Sequence, residues 1–260
     1  VENYMGYQYI EGPELMEKFQ EQVAKFPLEQ QIGDEATALS RQDGGFEVTA
    51  ANGKSYQARA VIIATGKRPR PLGVPGEEAL RGRGVTYCSV CDGPLFAGEK
   101  VAVIGGGNSA LEAADDLIKI AEQVNLVSTT PLTGDPILSD KIKDAANLTL
   151  FLEHQVVSIE GKKRVSGIVI KDRKTGREKR LEAGGIFVEI GLIPNSDLVK
   201  GLIPLNQQGE IEVTCANETG VAGLFAAGDV TNVPEKQIVV AAGEGAKATL
   251  QAHKYLQRRK

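Results

Sequence analysis

Only three cysteines and two histidines occur among the 260 residues. So few cysteines cannot staple a chain of this length, and stability must come from a buried apolar core. No apolar run approaches the roughly eighteen residues that a membrane helix needs. No secretory signal is visible either, so a cytoplasmic location is the expectation. Charge of one sign is also missing: 30 Lys and Arg face 34 Asp and Glu, for a net charge of −4. That balance offers no electrostatic grip on nucleic acid or an anionic membrane. The basic end, Arg258-Arg259-Lys260, reads as a solvated tail. With 42% hydrophobic and 25% charged residues, the composition is that of a globular protein long enough for two domains.

Two of the cysteines, Cys88 and Cys91, form a CxxC pair. Such a pair without a disulfide framework around it is metal-binding or redox-active. The remaining thiol and imidazoles, Cys215, His154 and His253, are scattered without a second pair, which argues against zinc and for no metal site. A dithiol that cycles with a disulfide is the better reading, and a helix start after Cys88 would favour its thiolate. Asp92 adjoins the second sulfur and could relay a proton or simply cap a helix. Cys215 stands alone among polar residues and reads as inert.

Along the chain, Pro13 to Phe26 has helical spacing, and Asn52-Gly53 marks a hairpin turn between two strands. Ala60 to Gly66 reads as a strand buried on both faces, and Pro69, Pro71 and Pro75 make residues 67–84 a linker. From Val101 the pattern is strand, glycine turn, helix and strand, a βαβ unit ending at Val124–Val127. Val156 to Leu181 suggests two strands around the turn Arg173-Lys174-Thr175-Gly176. Gly185–Gly191 and Leu224–Asp229 are further buried strands, and Gly243–Leu256 is a closing helix. The expected fold is α/β, with two linked dinucleotide-binding-type domains in three layers: residues 1–84 with 208–260, and residues 85–207.

Within the βαβ unit, Gly105-x-Gly107-x-x-Ala110 opens a helix directly after a strand. Gly105 permits the tight turn, Gly107 lets backbone approach a pyrophosphate, and Ala110 allows close helix–strand packing. The amides of Asn108, Ser109 and Ala110 are expected to face the anion. Base selection is not apparent: residues 128–135 contain no basic side chain, and their one acid, Asp135, comes late. NADPH is therefore unsupported by this segment, and NADH is weakly indicated.

Three stretches, Tyr87-Cys88-Ser89-Val90-Cys91-Asp92-Gly93-Pro94-Leu95-Phe96, Ile104-Gly105-Gly106-Gly107-Asn108-Ser109-Ala110-Leu111-Glu112-Ala113-Ala114 and Phe225-Ala226-Ala227-Gly228-Asp229-Val230, resemble the low-molecular-weight thioredoxin reductase family. Gly185–Asn195 and Val233–Ile238 are most similar to the flavoprotein core of its alkyl hydroperoxide (peroxiredoxin) reductase branch. The resemblance spans Val1 to Lys260. It implies FAD between NAD(P)H and the Cys88–Cys91 disulfide, with a thioredoxin-like or peroxiredoxin-linked protein as acceptor and a homodimer as the assembly. It also implies that Gly228 and Asp229 hold the ribityl and pyrophosphate region, with Lys236, Gln237 and Ile238 along the isoalloxazine. Asn3, Thr65 and Gly66 match other flavin-contacting positions, and the nucleotide motif runs on to Glu112. Cys91 would face the flavin, Cys88 would attack the partner, and Asp92 would be the acid–base group.

The chain departs from the family in two places. Ser128-Thr129-Thr130 replaces the arginine-bearing segment for the NADPH phosphate, and the glutamate of the NADH-using branch is missing too. The family's first βαβ unit, which binds the ADP half of FAD, would precede Val1, so the expected flavin domain is incomplete at its N-terminus. Its first strand would be central, leaving a strand edge unpaired and FAD poorly held. Two alternatives stay open: a reductase with a non-nucleotide donor such as ferredoxin, and a flavin-free redox-sensing remnant.

Overall fold

A computed structural model describes Val1 and residues 3–258; Glu2, Arg259 and Lys260, with most of the expected basic tail, lie outside the described residues. The chain leaves one folded unit, builds a second from Pro69–Leu192, and returns to the first, made of Val1–Arg68 and Ile193–Lys260. Among the described residues no helix is long and apolar enough to cross a membrane.

In the first unit, α1 (Gly12–Val23) starts with Pro13 in its first turn, where a missing N–H costs nothing, and buries Leu15. β1 (Ala36–Gln42), β2 (Gly45–Ala50) and β3 (Ser55–Ala58) form an antiparallel meander. Gly53, at φ +83°, makes the expected turn between β2 and β3. β4 (Val61–Ile63) follows, and β5 (Lys67–Pro69) carries the chain out.

The second unit opens with α2 (Glu77–Leu80), β6 (Val85–Thr86) and α3 (Ser89–Asp92). β7 (Lys100–Ile104), α4 (Asn108–Leu117) and β8 (Gln123–Ser128) are the expected βαβ unit. α5 (Pro136–Ile142) and β9 (Leu148–Leu152) extend it. β10 (His154–Gly161), β11 (Val165–Asp172) and β12 (Glu178–Glu182) then form an antiparallel sheet before β13 (Gly185–Val188). Three strands thus occupy the stretch expected to hold two. The missed turn lies at residues 162–164, where three consecutive basic residues interrupt the alternation.

Five parallel strands run in the order β6-β13-β7-β8-β9. Alternation along β7 assigns its faces: Val101 and Val103 pack with Leu111, Leu117 and Phe187 on the α4 side. Ala102 and Ile104 pack with Ile168, Ile170 and Ile186 on the side of the antiparallel sheet. The layers are therefore helix, parallel sheet and antiparallel sheet.

β14 (Leu192–Pro194) leads back, and β15 (Leu224–Ala226) pairs in parallel with β4. β4 and β15 form a two-stranded sheet, with Phe225 of β15 also bridged to Glu218, and Val61 and Ile62 are half-buried rather than enclosed on both faces. α6 (Ile238–Gln257) packs Ala248 and Ala252 against Phe225 and Ala227. It begins before the expected Gly243, because Gly243 and Gly245 are accommodated inside it at a cost of about 1 kcal/mol each.

The sequence puts the exchanges between domains at 84/85 and 207/208, whereas the units change over at 68/69 and 192/193. Side-chain burial explains the difference. Leu72, Val74 and Leu80 join the core of the second unit with Val85 and Ile159. Buried Glu77 accepts the amides of Leu72 and Gly73 at 2.8 and 2.7 Å, and the Tyr87 hydroxyl at 2.8 Å. The proline-rich stretch is thus built in rather than spanning a gap. Val199 and Ile203 belong in the same way to the core of the first unit.

Leu126 is fully buried between the helix layer and the parallel sheet. Leu126→Ala should lower the unfolding free energy by about 2–5 kcal/mol. Ile137→Ala, on the exposed side of α5, should stay within about 0.5 kcal/mol in the same urea titrations.

Candidate functional site

β7 delivers the chain into Gly105 at φ +147°, where a Cβ would overlap the Glu189 carbonyl and the Ala110 methyl. Only glycine fits there. The turn continues through Gly106 and extended Gly107, the N-cap residue of α4. Thr133 N–H donates to Gly106 O at 2.7 Å, and Asp135 N–H donates to Asn108 Oδ1 at 2.7 Å, fastening the 133–135 loop over the helix start. A cleft of about 600 Å³ opens here, lined by residues 105–109, 128–130, 154–156 and 189–191 together with Leu72 and Val74.

The amides of Asn108 and Ser109 make no hydrogen bond among the described residues and remain for an anion. Ala110 corrects the sequence reading: its N–H donates to Gly107 O at 3.1 Å, closing the first turn of the helix. Ala110 contributes only close packing.

At the sheet edge, β6 brings in the CxxC turn. Cys88 and Cys91 are joined as a disulfide with 5.3 Å between Cα atoms. Cys88 is the N-cap residue of α3, and the Cys91 amide donates to its sulfur at 3.1 Å. Cys88 is half-buried and Cys91 exposed. The Thr86 hydroxyl donates to Asp92 Oδ2 and accepts the Cys88 amide at 3.2 Å. Asp92 ends α3 and precedes a 3-10 turn at Gly93–Phe96 that its side chain does not cap; it is held instead through Thr86 to the backbone of the first cysteine.

Beside Cys88 lies a cavity of about 660 Å³ whose walls include Tyr87, Val90, Glu112 and Leu192. Ser109, Glu189 and Gly191 line both this cavity and the dinucleotide cleft, so the cysteine turn and the glycine turn are neighbours within one unit. The Tyr87 phenol is pushed up to about 12 by burial and by its hydrogen bond to Glu77.

Three residues of this unit were missed by sequence reasoning. Glu189, just past β13, has its carboxyl pushed up to about 7 by burial; the Ser89 amide, which donates to it, opposes that rise and the Glu112 charge adds to it. Its signal was a lone acid ending the apolar run Gly185–Ile190. His154 begins β10 of the antiparallel sheet, and Arg173 lies in the turn directly after β11. His154 lines the cleft, and Arg173 Nη1 donates to Thr129 O at 2.6 Å. Nothing local in the sequence ties either to the glycine turn.

Most of the other expected residues gather in the first unit. A cavity of about 310 Å³ is lined by Gly66, Gly228, Asp229, Lys236, Gln237 and Ile238, with Ala64, Ala227, Ala241 and Gly245 leaving it open. Asn3 Nδ2 donates to Gln237 Oε1 at 2.7 Å. The Asp229 carboxylate has no hydrogen-bond partner among the described residues. Thr65 is turned elsewhere, its hydroxyl donating to Asn195 O at 2.6 Å. Lys236 reaches Glu210 at 3.3 Å and the Thr231 carbonyl. Cys215, in the first unit, is free and exposed.

Glu189 makes stability depend on pH. An unfolded glutamate releases its proton near ~4.3, whereas the folded one holds it to about 7. Between those values the folded chain binds the extra proton, so stability is full at low pH and falls as pH rises toward 7. Glu189→Gln should raise Tm at pH 8 by about 2–4 °C and leave it nearly unchanged at about pH 4, below the unfolded value, as thermal melts at the two pH values would show.

A family model, pyridine nucleotide-disulphide oxidoreductase, matches residues 5–245. The chain is 44% identical to the F component of alkyl hydroperoxide reductase from Pseudomonas putida over 260 residues, covering 98% of this chain and 50% of that protein. It is 42% identical to the component of the same name from Escherichia coli, covering 100% of this chain and 51% of that one. The chain thus spans about half the length of the curated relatives it matches. Lactococcus lactis thioredoxin reductase superposes with a TM-score of 0.79 at 32% identity, covering 99% of this chain and 85% of that structure. With a disulfide and a glycine turn side by side in one unit, this chain belongs to the pyridine nucleotide-disulphide oxidoreductase family and is thioredoxin reductase-like within it.

Proposed function

We propose that this chain carries electrons from NAD(P)H, through FAD, to the Cys88–Cys91 disulfide and on to a disulfide of a thioredoxin-like or peroxiredoxin-linked protein. The observation that carries the reading is the shared wall: Ser109, Glu189 and Gly191 line both the dinucleotide cleft and the cavity beside Cys88. The names of the relatives, alkyl hydroperoxide reductase and thioredoxin reductase, point the same way.

The residues of the first unit fit part of a flavin. Asp229 is an acceptor without a donor, suited to the hydroxyls of a sugar alcohol. Gly66 and Gly228, at φ +65° and +74°, bring bare backbone to the cavity rim. Gln237, fixed by Asn3, offers an amide edge, and the small side chains of Ala241 and Gly245 leave room for a ring or chain. Held by these residues, a flavin would supply the two-electron relay between a nicotinamide and a disulfide.

The chain's own groups account for the rest. Asn108 and Ser109 amides, backed by α4, hold the pyrophosphate of the pyridine nucleotide. Reduction of the disulfide breaks one S–S bond, takes up two electrons and two protons, and leaves two thiols. Asp92 holds a proton for that exchange and keeps contact with the cysteine turn through Thr86. Cys88 as thiolate attacks the partner's disulfide, and Cys91 then displaces the partner from the mixed disulfide. The pair ends oxidised and the partner leaves as a dithiol.

Anaerobic addition of NADH or NADPH to the full-length protein should bleach its visible flavin band and expose two new thiols per chain. Cys91→Ser should still bleach but give no new thiols. A flavin band untouched by both nucleotides would overturn the scheme at its first step.

A further inference from the structure

The segment that ends β8 usually reveals which nucleotide is bound, by an acid for a ribose 2′-hydroxyl or a cation for a 2′-phosphate. Here that segment, Ser128-Thr129-Thr130, holds neither. The missing group comes from another layer of the second unit. Arg173, at the tip of the β11–β12 hairpin, donates through Nη1 to the carbonyl of Thr129, the residue directly after β8, at 2.6 Å. We infer that Arg173, bonded to the backbone of the cleft-lining Thr129, is the nucleotide-selecting residue and that it recognises a 2′-phosphate, making NADPH the preferred donor. This inference rests on the reductase reading above.

Three observations support it. First, the arginine is fixed before any ligand arrives. Its own N–H donates to Glu153 O at 2.9 Å, and Asp172 Oδ1 accepts the Lys174 and Thr175 amides at 2.7 and 3.0 Å, which sets the hairpin tip. The bond to Thr129 uses one of the five donors of a guanidinium, whose planar fork matches phosphate oxygens.

Second, the acids near this point are already engaged. Asp172 is tied to those two amides, Glu153 pairs with Lys174, and Asp135 caps α5 through the Ile137 amide at 2.8 Å. These bonds hold each carboxylate to its own turn, and none of the three is among the side chains that line the cleft, where the ribose 2′-hydroxyl recognition that NADH calls for would take place. Third, the cleft wall here is made of hydroxyl and imidazole side chains from Ser128, Thr129, Thr130 and His154. His154 Nδ1 lies 2.7 Å from Leu152 O, which leaves Nε2 for the cleft.

Calorimetric titration of the full-length protein with NADP⁺ and NAD⁺ tests this without electron flow. NADP⁺ should bind at least about tenfold tighter, the worth of hydrogen bonds to a charged group. Arg173→Ala should abolish that margin while leaving NAD⁺ affinity unchanged, and Arg173→Lys should restore part of it. Equal affinities, tighter NAD⁺ binding, or an Arg173→Ala margin equal to that of the parent would overturn the inference and leave the reductase reading standing. Failure of both nucleotides to bind would overturn both.

Discussion

The chemistry of the second unit depends on one close approach of backbone to backbone. The chain leaving β13 returns the Glu189 amide to Ile104 O at 2.8 Å and presses its carbonyl against Gly105. This seats β13 between β6 and β7, so that three strand ends arrive side by side. The cysteine turn follows the first, Glu189 the second and the glycine turn the third. Any side chain at position 105 would force these ends apart. The glycine that makes the tight turn of the nucleotide motif therefore has an equal claim as the spacer that lets β13 in.

The local part of this arrangement is legible in the sequence. β7, α4 and β8 follow each other without interruption, and their alternation and helical spacing reflect contacts made within a few residues. The cysteine pair announces its disulfide by spacing. Insertion of β13 between β6 and β7 is not legible, because the strand lies far along the chain and nothing in its apolar run specifies a partner. The same holds for Arg173, whose value depends on an antiparallel sheet folding back over β8. Asp92 was legible as a polar neighbour of Cys91, but Thr86, the residue that orients it, belongs to a strand of two residues that no periodicity can reveal.

The domain limits show how local signals can mislead. Pro71 and Pro75 do keep the stretch after β5 irregular, yet irregular chain is not the same as linking chain. Glu77 gathers the amides of Leu72 and Gly73 and the hydroxyl of Tyr87, so the polar groups of the stretch are satisfied inside the unit. In the first unit, Asn217 does comparable work. Fully buried with φ +60°, it donates to Ala226 O and to Glu244 of α6, tying the end of β15 to the helix that runs beside it. Each unit thus secures the strand end near its cavity with a buried polar side chain.

The shortness of β6 has a mechanical consequence. Its register with β13 consists of Val85 against Ile186 and Thr86 against Phe187, and beyond that β6 has a single isolated bridge, Val85 with Arg81, in which Gly82 N–H donates to Val85 O at 3.0 Å. An edge held by so few ladder bonds opens at lower free energy than the strands beside it. The disulfide is hung on that edge, whereas the glycine turn is rooted in β7, paired along its length on both sides. The unit therefore has a soft margin, which carries the cysteine turn, and a stiff centre, which holds the glycine turn in shape.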